Sequence, residues 1–507
     1  MKIINHIFNK AVLAGLFSTV ILSCSGVGEY LPTSEETNTS EAKAYLAINL
    51  SGATSSRTLG GSEAGINTDE NKVTSLTIAL INTSNNNVSI YSSPTLVADG
   101  ANVTVKPFLI AQGTYKIILV ANPTDDVISK LSNANNYASL QVAMSEISTF
   151  ASKDNFMMTN AINYNGDVSN IPEVTVTKDN TIDNAAHPAN AIQMDRMAAK
   201  IRMKSGMATN FTISTFVIKK YDKTSNSWSS ISNNKVVLKS FALLNTYKKA
   251  NLYQSWTGSQ ASGFYQSLIT PNSSSDFVAA DFDNGMDTYS TRTKSTSTTS
   301  GYSALVDLTH NNALTSLNAV SYCLENNPRN LSTVSSDVNK NVYHTKAQNT
   351  TTGVLFRAQL VDNNGKGITF YSYNGKYYAD LLSIQSEYSN VFKGKDPGEV
   401  INMTPEDIRT TYGVKVYQDG YMYYTHYIYD SNYFDPSAPN NVTNNRYYAV
   451  IRNSIYEMNV TGINRFGDDI PGGWDYNGDD EIDKKEATMN VNVTVAPWVL
   501  DFYSVTL

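Results

Sequence analysis

The sequence predicts an all-β protein built of β-sandwich domains with minor helices in the connections. Three observations carry that reading. Short apolar runs alternate with period two, clusters of Asn, Gly, Ser and Asp separate them, and helical periodicity is scarce. Strands of this kind bury one face each and pair as packed sheets. The 507 residues suit two to four domains, and 41% hydrophobic residues supply their cores.

The chain opens on a secretion signal. Lys2 and Lys10 flank a basic start, and the apolar run Ala11 to Leu22 closes on Ile21-Leu22-Ser23-Cys24, a lipobox. That run is too short for a membrane span, which needs ~20 residues. Cleavage before Cys24 leaves a residue to be acylated, and each buried CH2 of the lipid contributes ~0.8 kcal/mol of membrane affinity. Residues 25–40 are polar and read as a tether. In the strand that follows, Leu46, Ile48 and Leu50 share one face. Next comes the small, flexible loop Ser51 to Gly61, with a single basic residue, Arg57, followed by Thr58. Accessible, extended backbone beside an arginine suits an arginine-specific protease.

Val73 to Ile81 and Gly113 to Ala121 read as strands. Asp125 to Ser132 and Ala138 to Phe150 are the best helix candidates, expected to link strands rather than form core. A polar, loop-like stretch between Thr177 and Ala191 suggests a domain boundary, and Thr291 to Ser300 a solvated loop. Strands are expected over Val354 to Leu360, Val414 to Tyr429 and Tyr447 to Ile455. Tyr421, Tyr423, Tyr427 and Tyr429 share a parity, as a packed aromatic face or a sugar-binding row.

The C-terminus alternates again. Val491, Val493 and Val495 share one parity; Pro497 is expected to interrupt, and Trp498, Leu500 and Phe502 share the other. Residues 488–507 fully extended would span about 65 Å. Burying three or four of these large side chains is worth roughly 5–10 kcal/mol, so the segment must pair within its own subunit or with a neighbour. Just before it, Asp475, Asn477, Asp479, Asp483 and Glu486 occupy positions 1, 3, 5, 9 and 12 of an EF-hand-like loop. That oxygen ladder suits calcium. Asp480 stands where the turn glycine belongs and no amphipathic helices flank the loop, so a solvated acidic loop is the other reading. No cofactor is required.

Composition excludes several classes. With 38 basic and 45 acidic residues the net charge is −7, which argues against nucleic acid as a partner. Of two cysteines, Cys24 takes the lipid, so Cys323 has no intrachain partner and reads as a core thiol. Five scattered histidines suggest no metal or triad cluster. No Gly-x-Ser-x-Gly, His-Glu-x-x-His or phosphate-binding glycine loop occurs, so the chain is not expected to be an enzyme.

Further motifs follow in a characteristic order. They are Gly113-x-Tyr115, Val120-Ala-Asn122, Phe156-Met-Met158, Arg196-Met-Ala-Ala-Lys-Ile201 and Ser321-Tyr-Cys-Leu-Glu-Asn326. Thr352-Gly-Val-Leu-Phe-Arg-Ala358, Asp419-Gly-x-x-Tyr-Tyr-Thr425, Val450-Ile-Arg-Asn-x-x-Tyr456 and Val495-Ala-Pro-Trp498 complete it. With the lipobox and early strand, the chain resembles the major fimbrial subunits (fimbrillins) of Bacteroidetes, in particular the short-fimbria Mfa type that builds type V pili. The resemblance implies two transthyretin-like β-sandwich domains and a lipoprotein precursor at the outer membrane. It implies cleavage by an arginine-specific, gingipain-like protease after Arg57, which releases the strand of Leu46, Ile48 and Leu50. Identical subunits would then polymerise by donor-strand exchange through residues 488–507, joined by anchor and tip subunits, in an extracellular fimbrium supporting adhesion and biofilm formation. The implied layout is signal peptide 1–23, propeptide 24–57, N-terminal domain 58–190 and C-terminal domain 191–507. A fimbrial tip or anchor, or a surface glycan-binding lipoprotein, is the alternative.

Overall fold

The computed structural model describes residues 42–52, 63–64, 70, 72–99, 102–144, 156–160, 162–164, 171–244, 246, 250–257, 264–265, 306–307, 320–325, 351–429, 448–470 and 489–499. Strands in several sheets dominate, as the alternating runs predict, with five short α-helices among the described residues. None of these helices is long and apolar enough to cross a membrane.

The first sheet runs, from edge to edge, Val88–Ser92, Leu76–Asn82, Gly113–Ala121, Met158–Thr159, Ile192–Arg196, Lys43–Gly52, Asn102–Ala111 and Leu96–Asp99, with Glu173–Val176 added beside Gly113–Ala121. The sheet curls so that its two halves face each other. Tyr91 and Phe108, on strands near opposite ends of this order, meet as tilted rings with centroids 5.1 Å apart. Leu46, Ile48 and Leu50 pack inside with Ile78, Leu80 and Leu119. Leu76–Asn82 reads as a nearly unbroken apolar run because both of its faces are covered.

The outer face is covered by helices Asp125–Ser132 and Tyr137–Ala143. Thr124 caps the first through the Val127 amide, and Asn136 and Ser139 form a capping box on the second. Both are core elements, not mere connections. Val127, Leu131 and Leu140 are buried against Ala79, Ile81, Ile118 and Val120. The second helix is shorter than expected and ends at Ala143, with Met144 as its C-cap; residues 145–150 lie outside the described residues.

The chain leaves this sheet at Arg196 and re-enters strand at Ala198–Met203, inside a second sheet. That sheet is ordered Glu63–Ala64, Met489–Val499, Ser454–Ile463, Ala198–Met203 and Val320–Leu324. It shares a core with the sheet of Asn210–Ile213, Asn234–Leu244, Gly353–Val361 and Tyr421–Tyr427: Ile201, Met458 and Val493 belong to the same cluster as Leu238, Phe356 and Met422. A further sheet carries helices Leu381–Glu387, Pro397–Ile401 and Pro405–Tyr412 around Tyr378, Phe392 and Val416.

Two expected strands are redrawn. Val414 to Tyr429 is not one strand. Lys415–Tyr417 and Tyr421–Tyr427 belong to different sheets, separated where Asp419 and Gly420 take φ of 49° and 76°. Gly420 is also packed too closely for a side chain, since a Cβ there would lie 2.4 Å from the Leu360 carbonyl oxygen. Tyr447 to Ile455 is replaced by a strand that begins only at Ser454. Just before it Asn453 has φ 54°, and Arg452 is drawn inward to Glu325 (2.7 Å) and the carbonyls of Asn251 and Leu252. The tyrosine row is packed: Tyr423 and Tyr427 are buried, as is Tyr424 of the opposite parity. Cys323 is a core thiol whose burial pushes its pKa up to about 12.

Candidate assembly site

The first strand, Lys43–Gly52, is an interior strand. On one side it pairs antiparallel with Asn102–Ala111, from Lys43 opposite Ala111 to Leu50 opposite Val103, with a register shift between Leu46 and Ile48. On the other, Leu50–Gly52 pairs in parallel with Ile192–Met194. Upstream on that side, the Ala47 amide donates to Ala186 O (2.8 Å), the Ala186 amide to Tyr45 O (2.9 Å) and the Tyr45 amide to Asn180 O (3.1 Å). Leu46, Ile48 and Leu50 are each 0% exposed. Three such side chains contribute roughly 5–9 kcal/mol of apolar burial.

The terminal strand, Met489–Val499, pairs antiparallel with Ser454–Ile463 from Met489 opposite Ile463 to Pro497 opposite Ser454, with one shift between Val460 and Gly462. Pro497 does not interrupt it but lies in register opposite Ser454. This is a tolerable place for proline, because among the described residues the terminal strand's other flank pairs only with the two-residue strand Glu63–Ala64, opposite Trp498 and Val499. Val491, Val493 and Val495 are buried in their own subunit's core, and Tyr429 OH donates to Val491 O at 3.3 Å.

A cluster of largely buried charges lies where Ile192–Arg196 gives way to Ala198–Met203. Lys200 Nζ lies 2.9 Å from both carboxylate oxygens of Glu70, and Tyr322 OH donates to one of them at 2.6 Å. Arg196 Nε donates to the Glu70 backbone oxygen (2.9 Å) and Nη1 to Asn453 Oδ1 (3.2 Å). Asn453 in turn donates to Asp195 Oδ1 (2.8 Å), and Arg202 pairs with Glu457 (2.7 Å). Burial pulls the Arg196 pKa down to about 9 and lowers that of Lys200, against the attraction of Glu70. Sequence reasoning did not find this cluster. Its one visible signal is three cations, Arg196, Lys200 and Arg202, inside apolar strands.

The structure thus places Leu46, Ile48 and Leu50 in one core and Val491, Val493 and Val495 in another. Cys24, Arg57, Thr58, Leu500 and Phe502 lie outside the described residues, as do Asp475, Asn477, Asp479, Asp483 and Glu486 and the side chain of Trp498. Among the described residues, no group of three His, Cys, Asp or Glu side chains is placed to hold a metal ion.

Residues 44–196 match the family described as major fimbrial subunit protein (FimA). Residues 415–503 match the C-terminal region of fimbrillin, major fimbrial subunit protein type IV. No curated protein sequence matches the chain. Among solved structures, a candidate cell adhesion protein from Parabacteroides distasonis is similar at 15% identity and TM-score 0.48, over 90% of this chain and 99% of that one. A fimbrilin (FimA) from Porphyromonas gingivalis follows at 14% identity and TM-score 0.38, covering 90% and 98%. The tip fimbrial protein Mfa3 of the same organism gives 13% and 0.36, covering 90% and 100%. Both sequence matches are to major fimbrial subunits (fimbrillins), which are structural rather than enzymatic proteins, and they fall on the two regions that hold the interior first strand and the terminal strand.

Proposed function

We propose that this chain is a shaft subunit of a type V fimbria, polymerised by donor-strand exchange at the cell surface. In this reading Cys24 is lipidated and the precursor is held at the outer membrane. An arginine-specific protease cuts after Arg57, the first strand leaves, and the C-terminal segment of another copy takes its place. Anchor and tip subunits complete the fimbria, which supports adhesion and biofilm formation.

The observation that supports this most is the interior position of Lys43–Gly52. Removing an edge strand leaves one open ladder; removing this one leaves two, with an apolar trough between them. Another strand with alternating apolar residues satisfies both demands at once. Trp498, Leu500 and Phe502 repeat the i, i+2, i+4 spacing of Leu46, Ile48 and Leu50. The valines at 491, 493 and 495 fill their own subunit's core, so the part that can be donated without emptying that core starts at Trp498.

The test is to treat residues 25–507 with an arginine-specific protease and follow assembly by unboiled electrophoresis and electron microscopy. Arg57→Ala and a deletion of 500–507, which spares the buried valines, are the controls. Ladders or filaments that need both Arg57 and the C-terminal end support a shaft subunit. Efficient cutting that leaves only monomers moves the function to a tip, an anchor or a glycan-binding lipoprotein.

A further inference from the structure

We propose that Glu63–Ala64 is a clip that retains the C-terminal strand in its own subunit until the first strand is removed. The inference rests on the strand-exchange reading above and adds a control point to it. The clip lies in parallel beside the end of the terminal strand, Glu63 opposite Trp498 and Ala64 opposite Val499, on the flank away from Ser454–Ile463. It therefore covers the stretch where the donatable part of the chain begins.

Two residues of backbone pairing hold little by themselves; what keeps them in place is how the chain is tied on either side. On the C-terminal side the tie is Glu70, whose carboxylate is enclosed by Lys200 and Tyr322 and whose backbone oxygen takes the Arg196 bond. On the N-terminal side, residues 53–62 join the clip to the first strand, which is itself locked between Asn102–Ala111 and Ile192–Arg196. An element tied at both ends sees its partner at a higher effective concentration than one tied at a single end. Cutting after Arg57 and losing the first strand removes one tie and leaves Glu70 as the other. The same event that opens the acceptor slot thus weakens the hold on the subunit's own donor, while the buried Glu70 cluster retains the new N-terminal segment on the body. Donor and acceptor become available together, and an uncut precursor is protected from premature exchange on both counts.

Two measurements on the full chain carrying Cys24→Ala test this. In the first, amide exchange of the terminal strand is compared in the uncut protein, the cut protein and the uncut variants Glu63→Pro and Ala64→Pro. Exchange near Trp498 and Val499 is expected to rise tenfold or more in the cut protein and in at least one proline variant, while Gly113–Ala121 keeps its protection. Unchanged exchange near Trp498 in folded variants overturns the clip. In the second, Ala64→Cys and Val499→Cys are combined and oxidised to join the two register partners. After cutting, oxidised subunits are expected to stay monomeric and reduced subunits to assemble; equal assembly of both overturns the proposal. Should the wild-type chain never assemble, the strand-exchange reading fails, and the exchange comparison still decides whether the clip exists.

Discussion

Lys200 Nζ sits 2.9 Å from both carboxylate oxygens of Glu70, although the two residues are 130 positions apart. Glu70 follows the expected cleavage loop, and Lys200 lies on Ala198–Met203, an inner strand of the second sheet, so the pair ties the segment downstream of the cut to the body. A buried ion pair adds little over an apolar pair, but breaking one side leaves an uncompensated charge.

Glu70→Gln should therefore destabilise the folded chain by about 3–5 kcal/mol, read as a lower urea midpoint with unchanged slope. The double change Glu70→Gln with Lys200→Met should recover part of that loss. A double variant no better than the single one would mean that Glu70 acts chiefly through its other contacts.

Leu46→Ala should cost the uncut precursor about 2–5 kcal/mol, because Leu46 is fully buried in the first core. If the first strand is discarded on processing, the same substitution should leave the cut, assembled material unchanged in thermal stability. Equal destabilisation of both forms would show that the strand stays.

His426 is buried, and desolvation lowers its pKa from 6.5 to about 4. The neutral ring is the folded form, so the unfolded chain binds more protons between these values. Stability is fully present above pH 6.5 and falls as pH drops toward 4, by about 3 kcal/mol from this group. His426→Gln should flatten that part of the stability–pH curve relative to wild type; an unchanged slope would assign it to the carboxylates.

Calcium at the acidic loop is tested by calorimetric titration of the metal-free protein. Saturable heat that disappears with Asp475→Ala and Glu486→Ala is the outcome expected of an occupied ladder. Heat equal to dilution alone means that the loop is solvated and acidic.

Much of the strand content is legible because its cause is local. Alternation marks Lys43–Gly52, and the helix Asp125–Ser132 shows its apolar face and its Thr124 cap in the sequence. The three helices between residues 381 and 412 escape a search for long periodicity because each spans eight residues or fewer. Their caps were the readable signal: Asp396 before Pro397, Thr404 before Pro405, and Gly413 at the close. The break at Asp419 and Gly420 was hidden because the residues on either side are equally strand-like.

The sequence by itself determined the fold class, the family motifs in their order, and the apolar alternation of both terminal strands, because each depends on neighbours within a few positions. Only the tertiary structure decided where those strands lie. Which side of Lys43–Gly52 is paired depends on Asn102–Ala111 and on Ile192–Arg196, far along the chain, and alternation reads alike in an edge or an interior strand. The same holds for the clip on Trp498 and for the enclosure of Glu70 by Arg196, Lys200 and Tyr322. A lone acid between a loop and a strand carries no mark of burial until distant cations close around it.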